Sequence, residues 1–158
     1  MTPRPITVAD IPAIASLWHD GWHEAHAAHV PATLVNVRTR DAFLTRATAL
    51  DNRTRVIGPI GAPLGFCDIH EDELNQLFVS PAGRGTGAAT RLMTDGEARL
   101  AATGVIRAHL FCVPENARAV RFYAKCGWID TGLEVMTPPD AGPNARLRCI
   151  RFEKDLSA

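Results

Sequence analysis

The sequence has no surplus of charge: Lys plus Arg number 17 and Asp plus Glu number 17. A chain with no net field has no broad electrostatic means of collecting nucleic acid or an anionic membrane surface. It also has no apolar run near the roughly 20 residues that span a bilayer, and its first residues, MTPRPITVAD, carry no signal-peptide hydrophobic stretch. The expectation is a cytoplasmic protein with neither nucleic acid nor membrane as partner. The four cysteines, Cys67, Cys112, Cys126 and Cys149, include no C-x-x-C pair, which argues against a zinc knuckle or a disulfide framework and for buried structural thiols. There is no G-x-S-x-G element, and the histidines lie far from any nucleophile motif, so a hydrolase is a poor reading. Internal repeats and low-complexity segments are also missing.

What is present fits one globular core. At 158 residues and 46% hydrophobic content the chain is long enough for one domain, read as 3–155, and short for two. PITV (5–8) reads as a strand, and Asp10 as the N-cap of a helix running to about His29. Pro31 interrupts it, and RTRDAFLTRATAL (38–50) resumes a helical pattern. TRVIG and PLGFCDIH form a hairpin pattern, and ELNQLFV (73–79) follows as a third strand. A helix to Ala102, a strand over 105–113, a helix from Asn116 to Lys125, and two strands around the proline-rich loop PPDAGPN complete the order β-αα-βββ-α-β-α-ββ. The fold class expected is a mixed α/β sheet.

The stretch VSPAGRGTGAATRLM (79–93) is the most unusual in composition, with Gly83, Gly85, Gly87, Ala88 and Ala89 inside seven positions. Bare backbone leading into a helix leaves N–H groups free to meet an anion, with the helix dipole in support. Several nucleotide and cofactor families use that device, so the loop alone does not choose among them. It is followed, about 30 residues on, by N-x-x-A-x-x-F-Y-x-x-x-G-W, comprising Asn116, Ala119, Phe122, Tyr123, Gly127 and Trp128. The two motifs together resemble the GNAT superfamily of acyl-CoA-dependent N-acetyltransferases, whose [RQ]-x-x-G-x-[GA] pattern is met by Arg84, Gly87 and Ala89. The element order is compatible with that fold.

The resemblance implies acetyl-CoA as co-substrate, with no metal, held at its pyrophosphate by Arg84, Gly85, Thr86, Gly87, Ala88 and Ala89. Leu77 would offer a backbone N–H to the developing oxyanion, Phe78 and Val79 would pair with the pantetheine arm, and Asn116 would bond it as well as cap its own helix. Tyr123, the single tyrosine, sits at the family's general-acid position. A core tyrosine beside Phe122 is the alternative. Glu73 matches a position that acts as base in related enzymes, with an exposed acidic residue as the plain alternative. Period-two alternation places Glu73, Asn75, Leu77 and Val79 on one strand face.

Four of the six histidines fall in LWHDGWHEAHAAHV. Helical spacing gathers His19, His23 and His26 on one stripe and Trp18, Trp22, Ala25 and His29 on another. The histidines read as a solvated or hydrogen-bonded face, as acceptor contacts or, third, as a metal site. By the same resemblance the first helices border the acceptor cleft, so Trp22, His26, His29 and Asn75 are candidates for its lining, although the tryptophan stripe also reads as core packing. Two function classes result: an N-acetyltransferase acting on a small-molecule amine or a protein amino group, and an acyl-CoA-binding regulatory module without turnover. A free sheet edge at the C-terminal strand would permit a homodimer.

Overall fold

The structure, a computed structural model, describes residues 1–157. Strand β1 (Arg4–Pro5) precedes helices α1 (Ile11–His26), α2 (Ala32–Val37) and α3 (Arg40–Thr48). The antiparallel run β2 (Thr54–Ile57), β3 (Gly65–His70) and β4 (Glu73–Val79) follows. Then come α4 (Ala88–Ala102), β5 (Arg107–Cys112), α5 (Ala117–Lys125), β6 (Ile129–Met136) and β7 (Leu147–Asp155). The strands form one seven-stranded sheet in the order β1-β2-β3-β4-β5-β7-β6, in which β4–β5 is the parallel pair.

Two local differences from the sequence reading have physical causes. The first helix stops at His26, and the segment after Pro31, expected as a plain connection, forms α2. Pro31 takes extended backbone angles ahead of that helix, and its carbonyl accepts from Leu34 and Val35 at 3.0 and 3.2 Å. Burial of Leu34 anchors the turn. Asp10 stands at the N-cap position of α1, as expected, but its side chain does not cap the helix. Its backbone is already helical and its carboxylate turns back to accept from Arg4 Nη1 and Nη2 at 2.8 and 2.9 Å, from the Thr7 N–H and hydroxyl at 2.8 and 2.9 Å, and from the Gly61 N–H at 2.9 Å. This knot ties β1 to the start of α1 and to the β2–β3 loop.

Each face of the sheet carries its own core. Ile14, Trp18, Phe43, Val56 and Phe66 pack under α1 and α3, with the Trp18 ring 5.4 Å from Phe43 and 5.0 Å from Phe66. Cys67, Leu92, Met93, Leu110 and Phe152 pack under α4 and α5. Gly21 lets α1 lie directly on β4: a Cβ there would come within 2.8 Å of Phe78 Cδ1. Cys67, Cys112 and Cys149 are buried and Cys126 half-buried, all as free thiols. Burial pushes the Cys67 and Cys112 thiols up to about 12, which keeps them protonated.

The feature that shapes everything around it lies in β4. Asp68 is opposite Gln76 but Ile69 is opposite Leu74, so Asn75 is one residue too many for the ladder, a β-bulge. The bulge breaks the expected alternation. Leu74, Leu77 and Val79 pack with the α4 core, whereas Phe78 joins the α1 core and Asn75 bonds to Asp68. On its other side β4 meets β5 at Glu73 and His109 alone, beside a bond from the His109 N–H to the Asp72 carbonyl at 3.1 Å. Meanwhile β5 stays in register with β7 from Arg107 to Cys112, so β4 and β5 part beyond that pair.

The sheet edge also differs from expectation. Strand β7 lies between β5 and β6, so the free edge is β6 rather than the C-terminal strand, with Ile129, Leu133 and Val135 exposed on it. The cause is topological: β7 returns antiparallel to β5 and fills the position beside it.

Asp10→Ala removes the acceptor for five donors and strands the Arg4 guanidinium, a change expected to cost about 3 kcal/mol, read as a lower urea midpoint. The Arg4 guanidinium, first among several donors, holds the Asp10 carboxyl well below the usual carboxylate range. Its contribution is therefore present above the ordinary carboxylate pKa, and is lost as pH falls from there, because the unfolded chain binds the proton first. Asp10→Ala should show a flatter stability profile over that acid window.

Candidate active site

Where β4 and β5 separate, a cavity of about 830 Å³ opens between α1, β4, the end of β5, and α5. Thirteen of the residues singled out from sequence converge on its lining: His26 and His29 from α1 and its connection; Asn75, Leu77, Phe78 and Val79 from β4; Arg84, Gly85, Gly87, Ala88 and Ala89 from the glycine turn; and Asn116 and Tyr123 from α5 and its cap. Glu73, Thr86 and Trp22 lie outside the lining. Thr86 is turned into its own loop, where its hydroxyl donates to the Gly83 carbonyl at 2.6 Å and accepts from the Ala88 N–H at 3.3 Å. Trp22 is a core residue, 9% exposed, whose ring stands 5.4 Å from that of His26.

The turn before α4 has the geometry of an anion cradle. Gly85 and Gly87 adopt φ of 74° and 85°, a region costly for residues with a Cβ, and a Cβ built on either would meet no atom within 4 Å. The space in front of the backbone is therefore open. Arg84 N–H is already used by the Pro81 carbonyl at 3.3 Å and Thr86 N–H by Gly83 at 3.4 Å. Among the described residues the N–H groups of Gly85, Gly87, Ala89 and Thr90 make no such bond, so they are the donors left for a ligand. Thr90 was not foreseen, although its place in the first turn of a helix is a sufficient signal.

A charged cluster stands beside this turn. Glu24 on α1 accepts from Arg84 Nη2 at 2.8 Å and from Arg118 Nη2 at 3.4 Å, reaching across to the first turn of α5. The Arg84 guanidinium is the main cause that holds the Glu24 carboxyl low. An arriving phosphate would compete with that carboxylate for both arginines. Sequence reasoning missed Glu24 and Arg118, since partners separated by 60 and 94 positions leave no local pattern.

Farther along, the cavity is lined by groups that burial keeps uncharged. Tyr123 sits between Phe122 and Phe152, at ring distances of 5.8 and 5.7 Å, and burial pushes its phenol up. It therefore retains its proton through the working pH range. His26 is pushed down to about 4 by burial, so its imidazole is neutral at pH 7. Glu73 is half-buried at the closed vertex of β4 and β5, where burial raises its carboxyl against the opposing pull of His109 and His70. Asn116 caps α5, its side chain accepting from the Ala119 N–H at 3.4 Å. The remaining helix histidines diverge from the cavity: His19 bonds to Asp20 at 2.8 Å, and His23 Nε2 to the Arg38 carbonyl at 2.6 Å.

The acetyltransferase (GNAT) family model matches residues 11–128, a span that contains the turn, the bulge and the helix carrying Tyr123. The chain belongs to the GNAT acetyltransferase family. An uncharacterized N-acetyltransferase of Mycobacterium tuberculosis, Rv2669, is 43% identical over 61 residues, a match that covers 39% of each chain. The same stretch therefore spans about two fifths of that relative's length. The GNAT fold extends over nearly the whole chain. A GCN5-related N-acetyltransferase of Rhodopseudomonas palustris superposes with a TM-score of 0.74 at 19% identity, covering 98% of this chain and 96% of the other. The acetyltransferase yncA of Salmonella typhimurium, described as putative and solved with acetyl-CoA, gives 0.70 at 18% identity, covering 99% and 94%. The paiA N-acetyltransferase of Thermoplasma acidophilum, solved with coenzyme A, gives 0.64 at 15%, covering 98% and 99%. No helix among the described residues is long and apolar enough to cross a membrane.

Proposed function

We propose that the protein is an acetyl-CoA-dependent N-acetyltransferase that passes an acetyl group to a primary amine, on a small molecule or a protein, by direct attack in a ternary complex. The observation that carries this reading is the parting of β4 from β5 beside a turn of bare backbone, in a chain of the GNAT family. The free N–H groups of Gly85, Gly87, Ala89 and Thr90 fit a pyrophosphate. The edge of β4 from Leu77 to Val79 has no strand partner on the cleft side and fits an amide-bearing arm laid along it. Asn116 borders the same path.

Acetyl-CoA supplies the acyl group as a thioester. The amine nitrogen forms a bond to the acyl carbon, the carbon–sulfur bond breaks, and the protein manages two protons and one transient charge. Glu73 takes the proton from the amine through water, since its carboxylate lies outside the lining. The Leu77 N–H meets the developing oxyanion, a contact worth roughly 3 kcal/mol in a dry site. The Tyr123 hydroxyl gives its proton to the departing sulfur. Burial keeps the phenol protonated at neutral pH, so its proton is present when the thiolate departs.

Acetyl transfer to a panel of amines, amino acids, aminoglycosides and peptides, read by mass spectrometry, is the direct test. A mass gain on one acceptor class supports the proposal; tight acetyl-CoA binding without any product favours the binding-module reading. Tyr123→Phe is expected to lower kcat about ten- to a thousandfold with acetyl-CoA affinity unchanged, and undiminished turnover would remove the acid. Gly87→Val places a branched side chain in the cradle at a strained φ, so calorimetry should find acetyl-CoA binding at least about tenfold weaker while the protein stays folded. At saturating amine, kcat should fall on the acid side with a pKa above the ordinary glutamate value, as burial of Glu73 requires, and Glu73→Gln should abolish that limb.

A further inference from the structure

The bulged residue Asn75 reaches the cavity with its amide already committed at one end. Its Nδ2 donates to Asp68 Oδ2 at 3.1 Å, and Asp68 Oδ1 accepts from the Thr54 hydroxyl at 2.7 Å. Thr54 is fully buried and Asp68 is 6% exposed, so this polar row, which crosses β2, β3 and β4, is sealed on its far side. A carboxylate offers only lone pairs to an amide, which decides the orientation: the nitrogen of Asn75 points to Asp68, and the oxygen at the other end of the amide plane is left for the cavity. Among the described residues that oxygen has no hydrogen-bond partner.

We infer that Asp68 is a positioning residue that locks the Asn75 amide with its oxygen toward the cavity, where it accepts a hydrogen bond from the ammonium or amine N–H of the acceptor. The surrounding charge agrees. Asp68 stands behind the amide, and Glu73 lies two residues along the strand. The arginines of the lining, Arg84 and Arg118, are tied to Glu24 by the glycine turn, at the opposite end of β4. A donor-bearing cation is thus matched at the bulge, and a carboxylate there would face an acceptor backed by an anion. The inference rests on the amine-acetyltransferase reading and sharpens its substrate class: an acceptor whose amine is not flanked by its own carboxylate.

The test exploits a reversal. In Asp68→Asn, the buried Thr54 hydroxyl has no other acceptor among the described residues, so its proton holds the new amide oxygen; the new amide nitrogen then faces Asn75, which flips to meet it and shows its NH₂ to the cavity. The paired variant Asp68→Asn/Asn75→Asp keeps the same number of bonds and restores an acceptor. Butylammonium chloride is the probe, titrated into the full chain and followed by NMR at the cavity signals, beside calorimetry of acetyl-CoA. The expected result is at least tenfold weaker butylammonium binding in Asp68→Asn, recovery to within threefold in the paired variant, and acetyl-CoA affinity unchanged in both; the KM for the amine follows the same pattern with kcat less affected. Wild-type protein that ignores butylammonium, a folded Asp68→Asn that binds it as before, or a folded paired variant without recovery overturns the inference. Should Asp68→Asn alone not fold, the paired variant and Asn75→Leu, which keeps the bulge but deletes the acceptor, decide the matter in the same terms. Acetyl transfer with none of these effects sinks the inference and leaves the proposed function standing. The butylammonium pattern without transfer to any amine does the reverse.

Discussion

The separation of β4 from β5 is the constraint from which the rest of the molecule's site follows. A parallel pair normally continues for several residues and buries its main-chain groups in a ladder. Here it is confined to Glu73 and His109, because β5 is held by β7 along six residues while the extra residue Asn75 bends β4 away. The strand's outer edge is thereby left as a line of unpaired peptide groups inside the protein. Such groups are costly to bury without partners, so a cavity that admits either water or an extended ligand is the physical consequence. The glycine turn lies where that edge ends, and α5 forms the facing wall. One bulge thus aligns the cradle, the peptide edge and the tyrosine.

Charge is distributed along this cavity in a graded way. At the glycine turn, backbone donors lie beside two arginines that Glu24 occupies and for which an arriving anion would compete. At the bulge the acidic side chains are Asp68 and Glu73, the latter with His109, His70 and Arg151 in its surroundings. Between them the burial of Tyr123 and His26 acts on groups of opposite type with one outcome, since removing water penalises the phenolate and the imidazolium alike. The groups at the centre of the cavity are therefore uncharged at neutral pH, leaving the peptide N–H groups of β4 as its strongest dipoles toward a developing negative charge.

Packing on the two sheet faces explains why this opening does not weaken the fold. Trp18, Phe43 and Phe66 close one face, while Leu92, Met93 and Phe152 close the other, so both strands that diverge at the cleft stay anchored in the α4 core, β4 through Leu74, Leu77 and Val79 and β5 through Leu110, and Phe78 ties β4 to the opposite face as well. Gly21 brings α1 into direct contact with Phe78, just beside the bulge, and the Asp10 knot fixes the start of the same helix. The position of His26 in the lining is the joint result of both ends of α1 being held.

Local chemistry is what a sequence states openly. The strand over 73–79, the Asn116 cap, the glycine turn and the Tyr123 helix were legible because each is specified by residues within one or two turns of one another. The ends of α1, the role of Asp10 and the edge position of β6 were not, because each is decided by a competitor distant in the chain: Pro31 as the start of a new helix, Arg4 and Gly61 as stronger partners than the helix end, and β7 taking the place beside β5. The alternation of β4 failed for a related reason. A bulge is the property of a pair of strands, and its cause is the mismatch in register between Asp68 and Ile69 on one strand and Leu74 to Gln76 on the other. The sequence by itself determined the element types and the bare-backbone turn, through propensity and steric freedom. The tertiary structure alone decided that β4 and β5 would part, that Glu24 would meet two arginines, and that Asp68 would stand behind Asn75, since each depends on contacts made across the sheet.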